Sequence, residues 1–167
     1  MTITITDETL RHAAEEGGGA GFLAAVTRAV RLSCDDALTA SAMERLSTDQ
    51  LTLWAFDVLR EEVEVGGFIQ LIHNGYGPFF FRNPFAKLMR LWGLKELSQI
   101  MYQAARLYGR YGEELTRDMD DDAFMALYEA YPEFDELDDT FIDHVETYVE
   151  QVAAYVDEHL SDFVTIV

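Results

Sequence analysis

The chain is poor in several things that proteins commonly rely on. Cys34 is its only cysteine in 167 residues, so no internal disulfide can form, and a reducing cytoplasm is the expected setting. No apolar run approaches the ~20 residues needed to cross a bilayer. Met1–Asp7 lacks the basic-then-apolar pattern of a secretory leader. There are no repeats and no stretches rich in serine or proline, so nothing marks an internal linker. The most informative absence is of positive charge, because no Lys or Arg occurs from Asp118 to Val167.

The formal charge is −19, and it is unevenly spread. Residues 1–110 hold 13 acids and 11 bases, whereas residues 111–167 hold 18 acids against Arg117 alone. Between Arg82 and Arg110 the balance reverses, with six bases and one acid, Glu96. A membrane surface and a nucleic acid are both anionic, so direct binding to either is disfavoured. The sign suits a basic protein partner, or solubility alone. Apolar residues make up 49% and aromatics 13% of the chain, enough for a core in a chain of one-domain length.

A period of 3.6 recurs along the sequence and a period of 2 is nearly absent. Thr2–Ile5 alternates but is too short to define a strand. Asp7 is a candidate cap for a first helix, which three successive glycines, Gly17–Gly19, should end. Phe22, Ala25, Val26 and Ala29 define a second helix, and Asp35 and Asp36 are candidate caps for a third that reaches Leu46. Ser47 and Gln50 have capping-box spacing ahead of Leu51, Trp54, Ala55 and Val58. The expected order continues with a stop at Gly66-Gly67, an apolar segment 68–73 and a loop over 74–78. Asn83 and Pro84 then read as cap and first helical residue. Gly93 should break the helix they start. A further helix from Leu94, a short one from Asp120 and a long one over about 137–160 complete the chain. The expected fold is all-α: a single domain over 1–167, an irregular bundle of about seven or eight helices ending in a long acidic amphipathic helix.

At 100° per residue, the last helix places Asp139, Asp143, Glu146, Glu150 and Asp157 on one narrow stripe. Phe141, Val145, Tyr148, Val152, Tyr155 and Val156 fall opposite. Solvated helices usually mix Glu with Lys at i,i+4, since such pairs help by ~0.2–0.5 kcal/mol and like pairs cost similar amounts. Here Asp139/Asp143 and Glu146/Glu150 are like-charged pairs without a cation. A countercharge from another molecule would relieve them, and plain solubility is the competing explanation. With Asp118, Asp120, Asp121, Asp122, Asp135, Glu136 and Asp138, these residues form the candidate partner-binding surface. Stripe residues recur about every 5 Å along a helix, against ~3.4 Å per charge along one DNA strand.

Signals for chemistry are weak. Asp118, Asp120, Asp122 and Glu129 match four positions of a calcium loop, but its essential glycine is Ala123, and an acidic helix start capped by Asp120 accounts for them better. His12, His73, His144 and His159 share no metal-ligand spacing. Cys34 has no neighbouring base, and Gly17–Gly21 lacks the lysine of a phosphate loop. Asp143-His144-Val145-Glu146 points its side chains to different sides of a helix. No catalytic residue, metal site or cofactor is expected.

Two segments carry a family resemblance. One is Glu61-Glu62-Val63-Glu64-Val65-Gly66-Gly67-Phe68-Ile69-Gln70, followed by Asn74-Gly75. The other is Phe134-Asp135-Glu136-Leu137-Asp138-Asp139-Thr140-Phe141, continuing to Tyr155 and to His159, Asp162 and Phe163. Together they resemble the bacterial DMP-type DNA-mimic family over about 46–165, with 1–45 as a helical extension of the same domain. The chain departs from the family at Val65, where asparagine is usual. The resemblance implies an all-α fold, a tendency to form a homodimer, and an acidic surface that occupies the DNA-binding site of a transcription regulator. Gly66, Gly67, Phe68 and Gln70 are read as architectural. The competing expectations are an immunity or antitoxin-like protein that neutralises a basic nuclease toxin, and a small-molecule or metal-dependent activity near Gln70, His73 and Asn74.

Overall fold

The computed structural model describes all residues, 1–167. The chain is all-α apart from one minimal pair of strands: α1 (Asp7–Leu32), α2 (Ala40–Arg45), α3 (Thr48–Leu71), α4 (Gly77–Phe81), α5 (Phe85–Leu91), α6 (Lys95–Leu115), α7 (Asp121–Ala130), α8 (Asp135–Glu158) and α9 (Leu160–Phe163). β1 (Thr4–Ile5) lies parallel to β2 (Thr165–Ile166). No helix is long and apolar enough to cross a membrane. The chain forms two compact units, Met1–Asp57 with Glu146–Val167, and Val58–Val145.

In the first unit the expected capping box is present. The Ser47 amide donates to Gln50 Oε1 at 3.0 Å, and the Gln50 amide donates to Ser47 Oγ at 3.1 Å. The same buried glutamine donates through Nε2 to the carbonyls of Met1 and Phe163, at 3.0 and 2.9 Å. One side chain thus starts α3 and holds both ends of the chain. The start of α1 is capped by Thr6, whose hydroxyl accepts the Thr9 amide, not by Asp7. As expected, the first helical stretch breaks within Gly17–Gly19. The backbone turns at Gly18 (φ 61°) and the helix resumes at once. Asp35 and Asp36 start no helix. Both adopt φ 55° in a turn, Asp36 accepts from Arg31 Nε at 2.6 Å, and Thr39 caps the short α2.

In the second unit, the helical path of α3 breaks at Gly66-Gly67 as expected (Gly66 φ −142°, Gly67 φ +70°), and a second helical stretch carries it from the bend to Leu71. The segment expected as a loop is partly helical: Ile72–Tyr76 is a π-helical turn broken at Gly75 (φ +88°), and α4 follows it. Gly77 is needed there because the Tyr108 ring stands 2.4 Å from where a Cβ would be. Asn83 caps the other end of the neighbouring helix, with its amide donating to the carbonyls of Pro78 and Phe79. Gly93 ends α5 at φ +93°, as its residue type demands. Phe80 and Phe85 meet edge to face at 5.1 Å, and α5 packs along α6.

Ser47→Ala should therefore lower stability by about 1 kcal/mol, a fall in Tm of about 2–4 °C, while Ser47→Gly should cost only a few tenths of that energy. Thermal melts of both variants against the parent protein check these two differences.

Candidate functional site

The site is built from α7 and α8 and the bend in α3. Asp120 sets the start of α7, its Oδ1 accepting the Ala123 amide at 2.8 Å. Asp121 and Asp122 occupy the first turn, where the helix dipole favours acids. A 3₁₀ turn, Pro132–Phe134, leads into α8, whose first turn holds Asp135, Glu136 and Asp138. Amphipathicity orients α8: Phe141, Tyr148, Val152 and Val156 are buried. The opposite side, with Asp139, Asp143, Glu146, Glu150 and Asp157, is exposed. Asp118, Asp120, Asp121, Asp122, Asp135 and Glu136 are exposed as well.

None of these carboxylates is neutralised from within its own unit. The arginine ion pairs Arg11–Glu15, Arg31–Asp36, Arg31–Asp57 and Arg60–Glu64 do not involve them. In the second unit, Arg82, Lys87, Arg90, Lys95, Arg106 and Arg110 are all exposed and clasp none of them. Arg110 lies over the Tyr111 ring at 5.2 Å. His144 Nδ1 stands 3.9 Å from Glu96 Oε1 and 2.9 Å from the Thr140 carbonyl oxygen.

Asp138 is the exception, and its place on the outer surface needs correcting. It falls i, i+3, i+7 and i+10 with Phe141, Val145 and Tyr148, so the period of the helix turns it inward. It is half-buried, and its Oδ1 accepts the Phe68 amide at 2.9 Å. That amide belongs to the bend: Gly67 at φ +70° takes it out of the α-helical ladder. The Gly66 carbonyl, loosened by the same bend, accepts from Tyr128 Oη at 2.7 Å. A Cβ on Gly67 would stand 2.3 Å from Asp138 Oδ2, so only glycine permits this approach. Phe68 is fully buried and meets Phe141 edge to face at 6.4 Å. Burial pushes the Asp138 carboxyl up to about 6, against the pull of the Phe68 amide and with a further push from Asp135 and Asp139. Burial also raises Tyr128, helped by the Asp138 charge.

The residues considered for a small-molecule activity point to different partners. Gln70 and Asn74 both donate to Glu62 Oε2, at 3.1 and 2.8 Å. His73 Nδ1 donates to the Leu115 carbonyl at 2.8 Å, and its ring lies against Phe124 at 4.7 Å. No group of three or more His, Cys, Asp or Glu side chains is arranged to hold a metal ion. Cys34 is buried.

The sequence reading missed a shallow groove beside the bend, where Val65, Met125 and Ile142 stand exposed around Tyr128 and Asp138. A usable signal existed in the apolar residues that fall off the buried faces of their helices. Val65, Met125 and Ile142 are such residues.

The resemblance implies an all-α fold with an acidic surface, and the comparison with known proteins supports the same family. The chain belongs to the DMP19-like protein family, whose sequence pattern matches residues 44–159. One relative is the DNA mimic protein DMP19 of Neisseria meningitidis serogroup B (strain ATCC BAA-335 / MC58). It is 36% identical over 122 residues, which cover 72% of this chain and 74% of the relative.

The raised carboxyl gives a pH prediction. Asp138 titrates near 3.8 when unfolded and near 6 when folded, so between these values the folded state holds the extra proton. Its stabilising effect is complete at low pH and is lost as pH rises through about 6. The full shift corresponds to ~3 kcal/mol, which partial access to water reduces to about 1–2 kcal/mol. Asp138→Asn should therefore gain that much relative to the parent protein between pH 4 and pH 7.5 in urea unfolding. An unchanged difference at the two pH values would show that the group titrates normally.

Proposed function

We propose that the chain is a DNA mimic that acts without catalysis. Its carboxylates occupy the DNA-binding surface of a basic protein, a transcription regulator, and exclude DNA by competition. The observation that carries this reading is the row Asp139, Asp143, Glu146 and Glu150, exposed along α8 with no Lys or Arg of the chain paired to it. Like charges at i,i+4 cost free energy in the isolated molecule. A cationic partner recovers that cost on binding, as DNA phosphates do when they release counterions. Family membership and the DNA-mimic role of the meningococcal relative support the same reading.

The spacing is adequate. Successive members of the row are three or four residues apart, about 5–6 Å along the axis. That is wider than the ~3.4 Å of a single DNA strand. The exposed acids of Asp118–Asp122 and Asp135–Glu136 add charge beside it. Association should therefore be steered by charge and weaken steeply with salt. Neutralising Asp139, Asp143, Glu146 and Glu150 together to Asn and Gln should lower the association rate with a basic DNA-binding partner by about tenfold or more at low salt, with less change in dissociation. Surface-based kinetics between low and high salt measure this, together with displacement of a DNA probe. An association rate indifferent to both salt and these substitutions would refute the mechanism.

A further inference from the structure

We infer that the groove beside the bend in α3 is a binding site for an arginine side chain of a basic partner protein. Three of the chain's exposed large apolar side chains converge there: Val65 (79% exposed), Met125 (61%) and Ile142 (47%). Exposed apolar side chains scattered singly are ordinary, whereas several lining one concavity mark a contact surface. The groove encloses about 460 Å³, and no Lys or Arg lines it. Its polar lining includes Asp138 and Glu64.

Asp138 selects the occupant. One carboxylate oxygen is committed to the Phe68 amide, and Oδ2 receives no hydrogen bond from the chain although it is not sealed from water. A half-buried carboxylate with a free oxygen, walled by aliphatic and aromatic surface, matches one side chain better than any other. Arginine carries an apolar stem and a weakly hydrated planar head that both accepts aromatic contact and donates to a carboxylate. Tyr128 and Phe124 supply the aromatic wall. A purely apolar occupant would bury the carboxylate further without a partner. A second copy of the chain would bring another −19 to an already acidic surface. Charge complementarity therefore favours a cationic partner, and the inference rests on the mimic reading for the source of the arginine. It adds a desolvated anchor to a contact that is otherwise electrostatic and exposed.

The probe is N-acetylarginine amide, titrated into the isotope-labelled full chain at pH 7.5, with the isosteric but neutral N-acetylcitrulline amide as control. The arginine probe should produce saturable shifts at the amides of Gly67 and Phe68 and at the methyls of Met125 and Ile142, and the citrulline probe should not. Asp138→Asn should weaken binding by about tenfold or more, the loss expected for a hydrogen bond to a charged group. Because Asp138 also supports the bend, Val65→Lys provides a second variant at an exposed rim position. It places the protein's own cation at the groove and should abolish the saturable shifts without altering Tm. Equal shifts from both probes, shifts confined to the acidic row of α8, or unchanged binding in folded Val65→Lys would each overturn the site. So would a dimer in solution that dissociates on Val65→Lys, which would assign the groove to a second copy. If the groove takes no arginine while neutralising the α8 row still abolishes partner binding, only the pocket fails; if the reverse holds, only the mimic reading fails.

Discussion

A helix that bends through two glycines leaves backbone groups that must find partners elsewhere, and in this protein other helices supply them. At Gly66-Gly67 the Phe68 amide goes to Asp138 of α8 and the Gly66 carbonyl goes to Tyr128 of α7. An unsatisfied buried amide costs ~1–3 kcal/mol, so these two contacts act as a lock between three helices and not as surface decoration. They also fix which side of α8 faces in. Once Asp138 and Phe141 are held against the bend, the three-to-four-residue period sends Asp139 and Asp143 outwards. The acidic surface is thus a consequence of the buried side of the same helix.

The same lock explains why one aspartate differs from its neighbours. Asp135, Asp138 and Asp139 are close neighbours in sequence, but only Asp138 is half-buried, and its carboxyl is pushed up to about 6. The Phe68 amide favours its charged form and burial opposes it, with burial the larger effect. Outward carboxylates gain no such tension. Their energetic cost is mutual repulsion, which salt screens and a cation removes.

Much of this was legible in the residue pattern. The 3.6 period gave the helical class, and Ser47 with Gln50 gave the start of α3 because a capping box needs only local geometry. The outward row of α8 followed from period alone. What could not be read depended on partners distant in sequence. Asp35 and Asp36 look like caps, yet Arg31 takes Asp36 into an ion pair and the next helix waits for Thr39. Asn83 looks like a cap for α5, yet it reaches back to the carbonyls of Pro78 and Phe79. Gly17–Gly19 look like a stop, and the helical path does break at Gly18, although a second helical stretch follows at once. The pairing of Thr4–Ile5 with Thr165–Ile166 joins segments that no local pattern links. Asp138 belongs with these cases: its acid chemistry suggested the surface, whereas its register with Phe141 and Tyr148 gave the correct side.

Charge and shape divide the work of recognition in a way that this distinction makes concrete. An exposed row of carboxylates speeds encounter with any basic surface, but screened charges alone discriminate poorly between partners. Discrimination requires a place where water is removed and a wrong group is penalised. Beside the bend, the chain holds a carboxylate that folding has already half-buried, so a guanidinium arriving there meets a site that has borne part of its desolvation cost in advance. Duplex DNA offers a basic protein regularly spaced phosphates but no apolar socket of this kind. On the proposed mimic reading, such a socket would let the chain bind a chosen basic partner in preference to the many others that also bind DNA.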